Sequence, residues 1–109
     1  LLRGMFIMAK KRVDLTSMVV QGGDVLATRI DNEVVMMSIQ QGAYSGLNAV
    51  GSIIWDLLQS PRQVSEICDI LVRDYEVERR KCEIDVLAFL TDLASDDTIR
   101  IINSPEQIS

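Results

Sequence analysis

The sequence has no histidine, only two cysteines and few aromatic residues, and each shortage excludes a class of site. Without histidine the chain cannot form a Ser-His-Asp triad or a Cys-His pair. Cys68 and Cys82 form no CxxC motif, and a structural zinc site normally needs four Cys or His ligands. Aromatic residues make up 5% of the chain and are not interleaved with basic ones, which disfavours a stacking surface for single-stranded nucleic acid. We therefore predict two free thiols, no metal and no cofactor.

Basic charge and long apolar runs are also scarce. The formal net charge is −5, and an acidic domain repels the phosphate backbone of nucleic acids. The basic clusters at residues 10–12 and 79–81 are short, and acidic residues flank the second. No apolar run approaches the ~20 residues that cross a bilayer, and no signal-peptide pattern is present. The expected protein is cytoplasmic, without a membrane span or a nucleic-acid partner.

Catalytic motifs are missing as well. The chain contains neither GxxxxGK[ST] nor GxGxxG, so its glycines are interpreted as turn residues. The neighbouring carboxylates Asp96-Asp97 and Asp31/Glu33 lie in turn contexts, where nothing is expected to separate their pKa values for acid–base catalysis. By elimination we predict a binding domain and not an enzyme.

The pattern of apolar residues predicts a small α+β domain in this chain of 109 residues. Segments 16–21, 25–30 and 33–39 have strand character, and Asp31-Asn32 suits a tight turn. They predict a three-stranded antiparallel meander.

From Asn48, a good N-cap, the apolar spacing changes to that of helices. The predicted helices are an eleven-residue segment after Asn48, a second carrying Val64, Ile67, Cys68, Leu71 and Val72, and a third over 78–95. Tyr75 and Val77, between the last two, are expected to point inward, and 98–102 is a possible closing strand. A three-stranded sheet followed by three helices is winged-helix-like.

Two features of this pattern suggest a binding groove. The strand Glu33–Ile39 is apolar on both faces, and as an edge strand it would offer unpaired N–H and C=O groups to another chain. The third helix carries two apolar stripes where a surface helix needs one. An extended peptide could add to such an edge by β-augmentation. Patterning alone favours the simpler alternative, in which the extra apolar residues complete the core.

The sequence resembles the PqqD-like family, also called the RiPP recognition element, and within it the stand-alone branch of lasso-peptide biosynthesis. The matching features span residues 20–102 and are Tyr44, Gly46-Leu47-Asn48, Val50-Gly51, Ile54-Trp55, Pro61-Arg62, Val64, Tyr75, Val77, Cys82, Asp85-Val86, Phe89-Leu90 and Leu93.

The resemblance implies a protein that holds the leader segment of a ribosomally made precursor peptide as an added strand on its third strand, against the third helix. Its partners would be the leader peptide and the leader peptidase and cyclase of the pathway. Carried over position by position, the peptide-binding residues are Glu33, Val34, Val35, Met36, Met37, Ser38 and Ile39 on the strand, and Cys82, Asp85, Val86 and Phe89 on the helix.

Two other functions stay open at this stage. One is a PqqD-type chaperone partner of a radical SAM enzyme in the maturation of pyrroloquinoline quinone or a related peptide. The other is an acidic winged-helix DNA-binding regulator. In each case the expected organisation is a flexible N-terminal extension over residues 1–12, a PqqD-like domain over 13–103 and a polar tail over 104–109. Met8 resembles a natural start, and a native N terminus beginning upstream of it fits equally well.

Overall fold

The computed structural model describes residues 12–39 and 42–102. Most of the expected N-terminal extension and all of the expected polar tail therefore lie outside the described residues. In chain order the elements are β1 (Met18–Gln21), β2 (Val25–Ile30), β3 (Glu33–Ser38), β4 (Ala43–Gly46), α1 (Ala49–Leu57), β5 (Arg62–Gln63), α2 (Val64–Asp74), α3 (Arg79–Ser95) and β6 (Ile99–Ile102).

The first strand does not belong to the predicted meander. β1 lies between β5 and β6 in a sheet of its own, and Val19 is opposite both Arg62 and Ile101. Gly22, directly after β1, donates its N–H to the carbonyl of Thr98 at 2.8 Å. This pairing joins residues about eighty positions apart, so the local pattern that predicted the strand could not indicate its partner. The closing strand predicted over 98–102 is confirmed as β6.

The second sheet has the order β2-β3-β4. Its first turn is confirmed, because Asp31 and Asn32 both have positive φ, at 53° and 69°, as a two-residue hairpin turn requires. The strand that completes this sheet, β4, was not predicted. It is short and rich in small residues (Ala43-Tyr44-Ser45-Gly46), and such a composition is more typical of a loop. Because β4 pairs with β3, the expected edge strand is in fact central.

The three predicted helices are present, with bounds close to those expected. Asn48 is the N-cap of α1, and its Oδ1 accepts the N–H of Gly51 at 2.8 Å. Glu78 is the N-cap residue of α3. A buried hydroxyl joins α1 to the β2-β3-β4 sheet, since Ser52 Oγ accepts the N–H of Val34 at 2.8 Å and lies 3.3 Å from the carbonyl oxygen of Leu47.

The core lies between the two sheets and the helices. β3 contributes Val34 and Met36, so its inner face is covered by helices. The helices bury Ile54, Trp55, Leu58, Val64, Ile67, Cys68, Leu71, Cys82, Val86, Leu90, Leu93 and Ala94. One of the two apolar stripes of α3 is therefore core, whereas Ile84 on the other stripe is 59% exposed. The predicted fold class, a winged-helix-like α+β domain, is confirmed.

Candidate functional site

A cavity of about 620 Å³ opens on the helical side of the molecule, a size typical of sites that hold a ligand. It lies between the start of α1, the end of α2, the connection from α2 to α3, and the first three turns of α3. Its lining residues are Asn48, Val50, Gly51, Ile54, Leu71, Tyr75, Glu76, Val77, Glu78, Lys81, Cys82, Asp85, Val86 and Phe89.

The inner surface of the cavity is apolar and partly open to solvent. Tyr75 and Val77 are 42% and 41% exposed, so the expectation that they point inward is wrong. Val50, near the start of α1, is 46% exposed as well. All three line the cavity instead of filling the core. The cavity thus displays apolar groups that an occupant could cover.

One end of the cavity is closed by a tight contact between α1 and α3. A Cβ atom placed on Gly51 would lie 3.3 Å from Cζ of Phe89 and 3.4 Å from Cβ of Leu47. Glycine at this position lets the start of α1 approach the ring of Phe89, which is half-buried. The ring is thereby held beside the end of β4, since Leu47 follows directly on that strand.

The structure brings together the helical residues that the resemblance indicated. Cys82, Asp85, Val86 and Phe89 all line the cavity. Their spacing of three, four and seven residues places them on one face of α3. The sequence left open which stripe of this helix faces a groove, and in the structure these four residues face the cavity. Cys82 and Val86 form its buried floor.

Ion pairs and carboxylates border this apolar floor. Lys81 Nζ lies 2.9 Å from Asp85 Oδ2, one turn along α3. Arg79, at the start of α3, pairs with Glu83 and also reaches back to Asp69 of α2. Glu76 and Glu78 stand on the rim formed by the α2–α3 connection. The opening is therefore acidic while its interior is apolar.

Cys68 lies beside Cys82 of the cavity floor and does not itself line the cavity. Both are buried free thiols. Burial, and after it the adjacent Cys82, raises the pKa of the Cys68 thiol to about 11. Cys68 is thus a neutral thiol near pH 7 and behaves as a small core residue.

The strand residues that the resemblance indicated are placed differently from expectation. All of Glu33–Ser38 pairs with β2, and residues 35–38 also pair with β4. Ile39 lies just beyond the strand and donates its N–H to the carbonyl of Asp24 at 3.1 Å. The expectation that Glu33–Ile39 forms an open main-chain edge is therefore wrong, because both sides of β3 are already paired.

The sheet has two outer strands, β2 and β4, and the outer edge of β4 is the one next to the cavity lining. Leu47 donates its N–H to the carbonyl of Val34 at 2.9 Å, and Ser45 is opposite Met36. Main-chain groups alternate in direction along a strand, so those of Tyr44 and Gly46 point away from β3. Within residues 12–39 and 42–102, no strand pairs with this outer side. The edge leads directly to the cavity, since Asn48 lies two residues beyond Gly46.

The described part of the chain has neither a cluster of candidate metal ligands nor a membrane-spanning helix. No group of three or more His, Cys, Asp or Glu residues there is placed to hold a metal ion. None of the helices described is both long and apolar enough to cross a membrane.

Residues 33–99 match the family described as coenzyme PQQ synthesis protein D (PqqD). The chain belongs to this family. No curated protein matches the chain. The expected resemblance is thereby confirmed, and the matched segment extends from β3 to the start of β6, including β4 and the whole cavity.

Two solved structures share the fold. One, described as TbiB1 in complex with the TbiA(β) leader peptide, is 36% identical, with a TM-score of 0.70, and the match covers 78% of this chain and 99% of that one. The other, described as lasso peptide synthetase B1 complexed with the leader peptide, is 23% identical, with a TM-score of 0.68, and the match covers 75% of this chain and 96% of that one. At this identity the second match supports the fold alone.

Proposed function

We propose that this protein binds the leader segment of a ribosomally made precursor peptide and presents it to the modifying enzymes of lasso-peptide biosynthesis. The observation that carries the proposal is the open edge of β4, which leads into an apolar cavity against α3. Membership of the PqqD family supports it. So does the 36% identity to a protein whose structure was solved with a leader peptide.

In this mechanism the leader adds to the sheet as a strand beside β4. Tyr44 and Gly46 each direct an N–H and a C=O outward, and each hydrogen bond made there contributes about 0.5–1.5 kcal/mol. The resemblance implied docking on the third predicted strand in chain order, residues 33–39. β4 is the third strand of its sheet, because β1 belongs to the other one. The proposed docking strand therefore moves from 33–39 to 43–46.

Apolar side chains of the leader would occupy the cavity. Cys82 and Val86 form the floor, Phe89 closes one end, and Val77 covers the rim. Burying one apolar anchor in such a cavity contributes about 1.5–3 kcal/mol. Main-chain pairing gives general affinity for extended peptides, and the cavity selects the side chain.

The proposed role is to hold the peptide and not to cut or modify it. The leader peptidase and the cyclase of the same pathway would act on the bound precursor. We place the protein in the cytoplasm, where a ribosomal precursor is made. Two buried cysteines kept as free thiols agree with a reducing compartment.

The proposal can be tested by fluorescence anisotropy with a labelled TbiA(β) leader peptide and a scrambled control. Saturable binding is expected for the native order only. Single N-methylation at each peptide position should then weaken binding with a period of two, since alternate amides of an added strand face β4. Equal binding of the scrambled peptide, or N-methyl effects without this alternation, would contradict strand addition.

A further inference from the structure

The rim of the cavity carries two carboxylates that form no ion pair with a basic side chain of the described residues. Glu76 and Glu78 both line the opening and are both exposed. No ion pair or side-chain hydrogen bond joins either of them to another residue in the described ranges 12–39 and 42–102. Two like charges so close in sequence repel each other in the empty protein. No side-chain contact within the described residues therefore neutralises either charge.

Three of the four basic side chains nearby are already engaged. Arg73 pairs with Asp74, Arg79 with Asp69 and Glu83, and Lys81 with Asp85. Arg80 is exposed, but it does not line the cavity. The rim thus keeps an uncompensated negative charge next to an apolar floor.

A structural role accounts for only one of the two carboxylates. Glu78 is the N-cap residue of α3, where the helix dipole favours negative charge, although its side chain makes no cap hydrogen bond. Glu76 lies two residues before that cap, between Tyr75 and Val77, which both line the cavity. The dipole falls off within the first turn, so the charge of Glu76 is better explained by an occupant of the cavity.

We propose that Glu76 and Glu78 bind a lysine or arginine side chain of the leader peptide, next to the apolar residue that fills the cavity. This inference rests on the proposed function and adds a specificity rule to it. The apolar floor selects the anchor, and the acidic rim selects a basic neighbour at a fixed distance along the strand. A peptide with an acidic residue at that place is repelled, because like charges across an interface oppose binding.

A substitution series of the TbiA(β) leader peptide tests the rule. Each position is replaced in turn by Lys, Gln and Glu, and the affinity of every peptide is measured by anisotropy at low and at high salt. With the unaltered protein, one position beside the apolar anchor should favour Lys over Gln by about threefold to tenfold and disfavour Glu. The Lys advantage should shrink at high salt, since exposed charges are screened.

The protein variants are chosen to match in charge. In Glu76→Gln/Glu78→Gln the Lys advantage should disappear. In the control Asp24→Asn/Asp31→Asn, which removes two exposed carboxylates outside the cavity lining, it should persist. Glu76→Gln alone should also reduce the Lys advantage. Because Glu76 is not the N-cap residue of α3, this variant removes a rim charge without changing the end of the helix.

The outcomes separate the two proposals. If the protein binds the leader but no position favours Lys, or if the advantage survives in Glu76→Gln/Glu78→Gln, the rim assignment is overturned and leader binding stands. If the Lys advantage falls equally in the control variant, the effect comes from the overall charge of the protein, and the rim assignment is again overturned. If no peptide of the series binds the unaltered protein, the proposed function fails and the rim assignment fails with it.

Discussion

Ser52 of α1 accepts the main-chain N–H of Val34 in β3 at 2.8 Å, and both residues are buried. β4 ends at Gly46 and α1 begins at Ala49. The sheet therefore provides no acceptor for the N–H of Val34, and the side chain of Ser52 in α1 accepts it instead. This hydrogen bond fixes the start of α1 relative to the sheet, and with it the end of the cavity that Asn48 and Gly51 line.

We expect Ser52→Ala to lower the free energy of unfolding by about 1–3 kcal/mol, because it leaves a buried N–H without an acceptor. Urea denaturation followed by circular dichroism measures the effect. Ser95→Ala is the matched control, since that hydroxyl bonds the Thr91 carbonyl on an exposed surface. Similar small decreases in the free energy of unfolding for both variants would contradict a stabilising role of the buried hydrogen bond.

Gly22→Ala should lower the free energy of unfolding by about 1–3 kcal/mol or more, as expected for overpacking. The added Cβ would lie 2.7 Å from the carbonyl oxygen of Asp97 and 2.9 Å from that of Thr98, and main-chain atoms have little freedom to move aside. Gly23→Ala meets nothing within 4 Å and should be close to neutral. Thermal denaturation of Gly22→Ala and Gly23→Ala tests this. Equal melting temperatures would show that β1 and β6 can move apart without loss of stability.

Alkaline pH should destabilise the fold through Cys68. Its pKa rises from 9.0 to about 11 on folding, because burial disfavours the thiolate. A raised folded pKa contributes stability that is complete below pH 9.0 and is lost as the pH rises towards 11. Urea denaturation between pH 8 and 11 should therefore show a steeper decline for the unaltered protein than for Cys68→Ala. If the free energy of unfolding declines equally with pH in both proteins, groups other than Cys68 cause the alkaline destabilisation.

Val77→Ser should weaken leader binding about fivefold or more, because it removes apolar surface from the cavity rim. Ile84→Ser is the control, since Ile84 is an exposed apolar residue of α3 outside the cavity lining. Both side chains are largely exposed, so neither variant should unfold the protein. Anisotropy titration with the TbiA(β) leader measures the two affinities. A larger effect at Ile84 would place the peptide on the other stripe of α3.

The sequence predicts the local structure of this domain well. The cap at Asn48, the turn at Asp31-Asn32 and the three helices depend on neighbours within a few positions, and all are present. The face of α3 that carries Cys82 and Val86 follows the helical period in the same way. These features need no information about distant parts of the chain.

The errors arose where distant parts of the chain decide the outcome. β1 is a strand as expected, but its partners lie near residues 62 and 101 and left no local signal. β4 is a strand because β3 pairs with it, although its small residues favour a loop. Because β4 was not predicted from the sequence, β3 was interpreted as an edge strand. Tyr75 and Val77 looked like core residues because an apolar cavity and an apolar core have the same composition.

The brevity of β4 limits self-association through this edge of the sheet. An exposed strand edge can recruit identical chains into extended sheets, and very short edges limit this hazard. β4 spans only Ala43–Gly46, and its outward main-chain groups belong to Tyr44 and Gly46. Such an edge is too short to template a growing aggregate by itself. Durable pairing then depends on an incoming strand that also has the side chains to fill the neighbouring cavity.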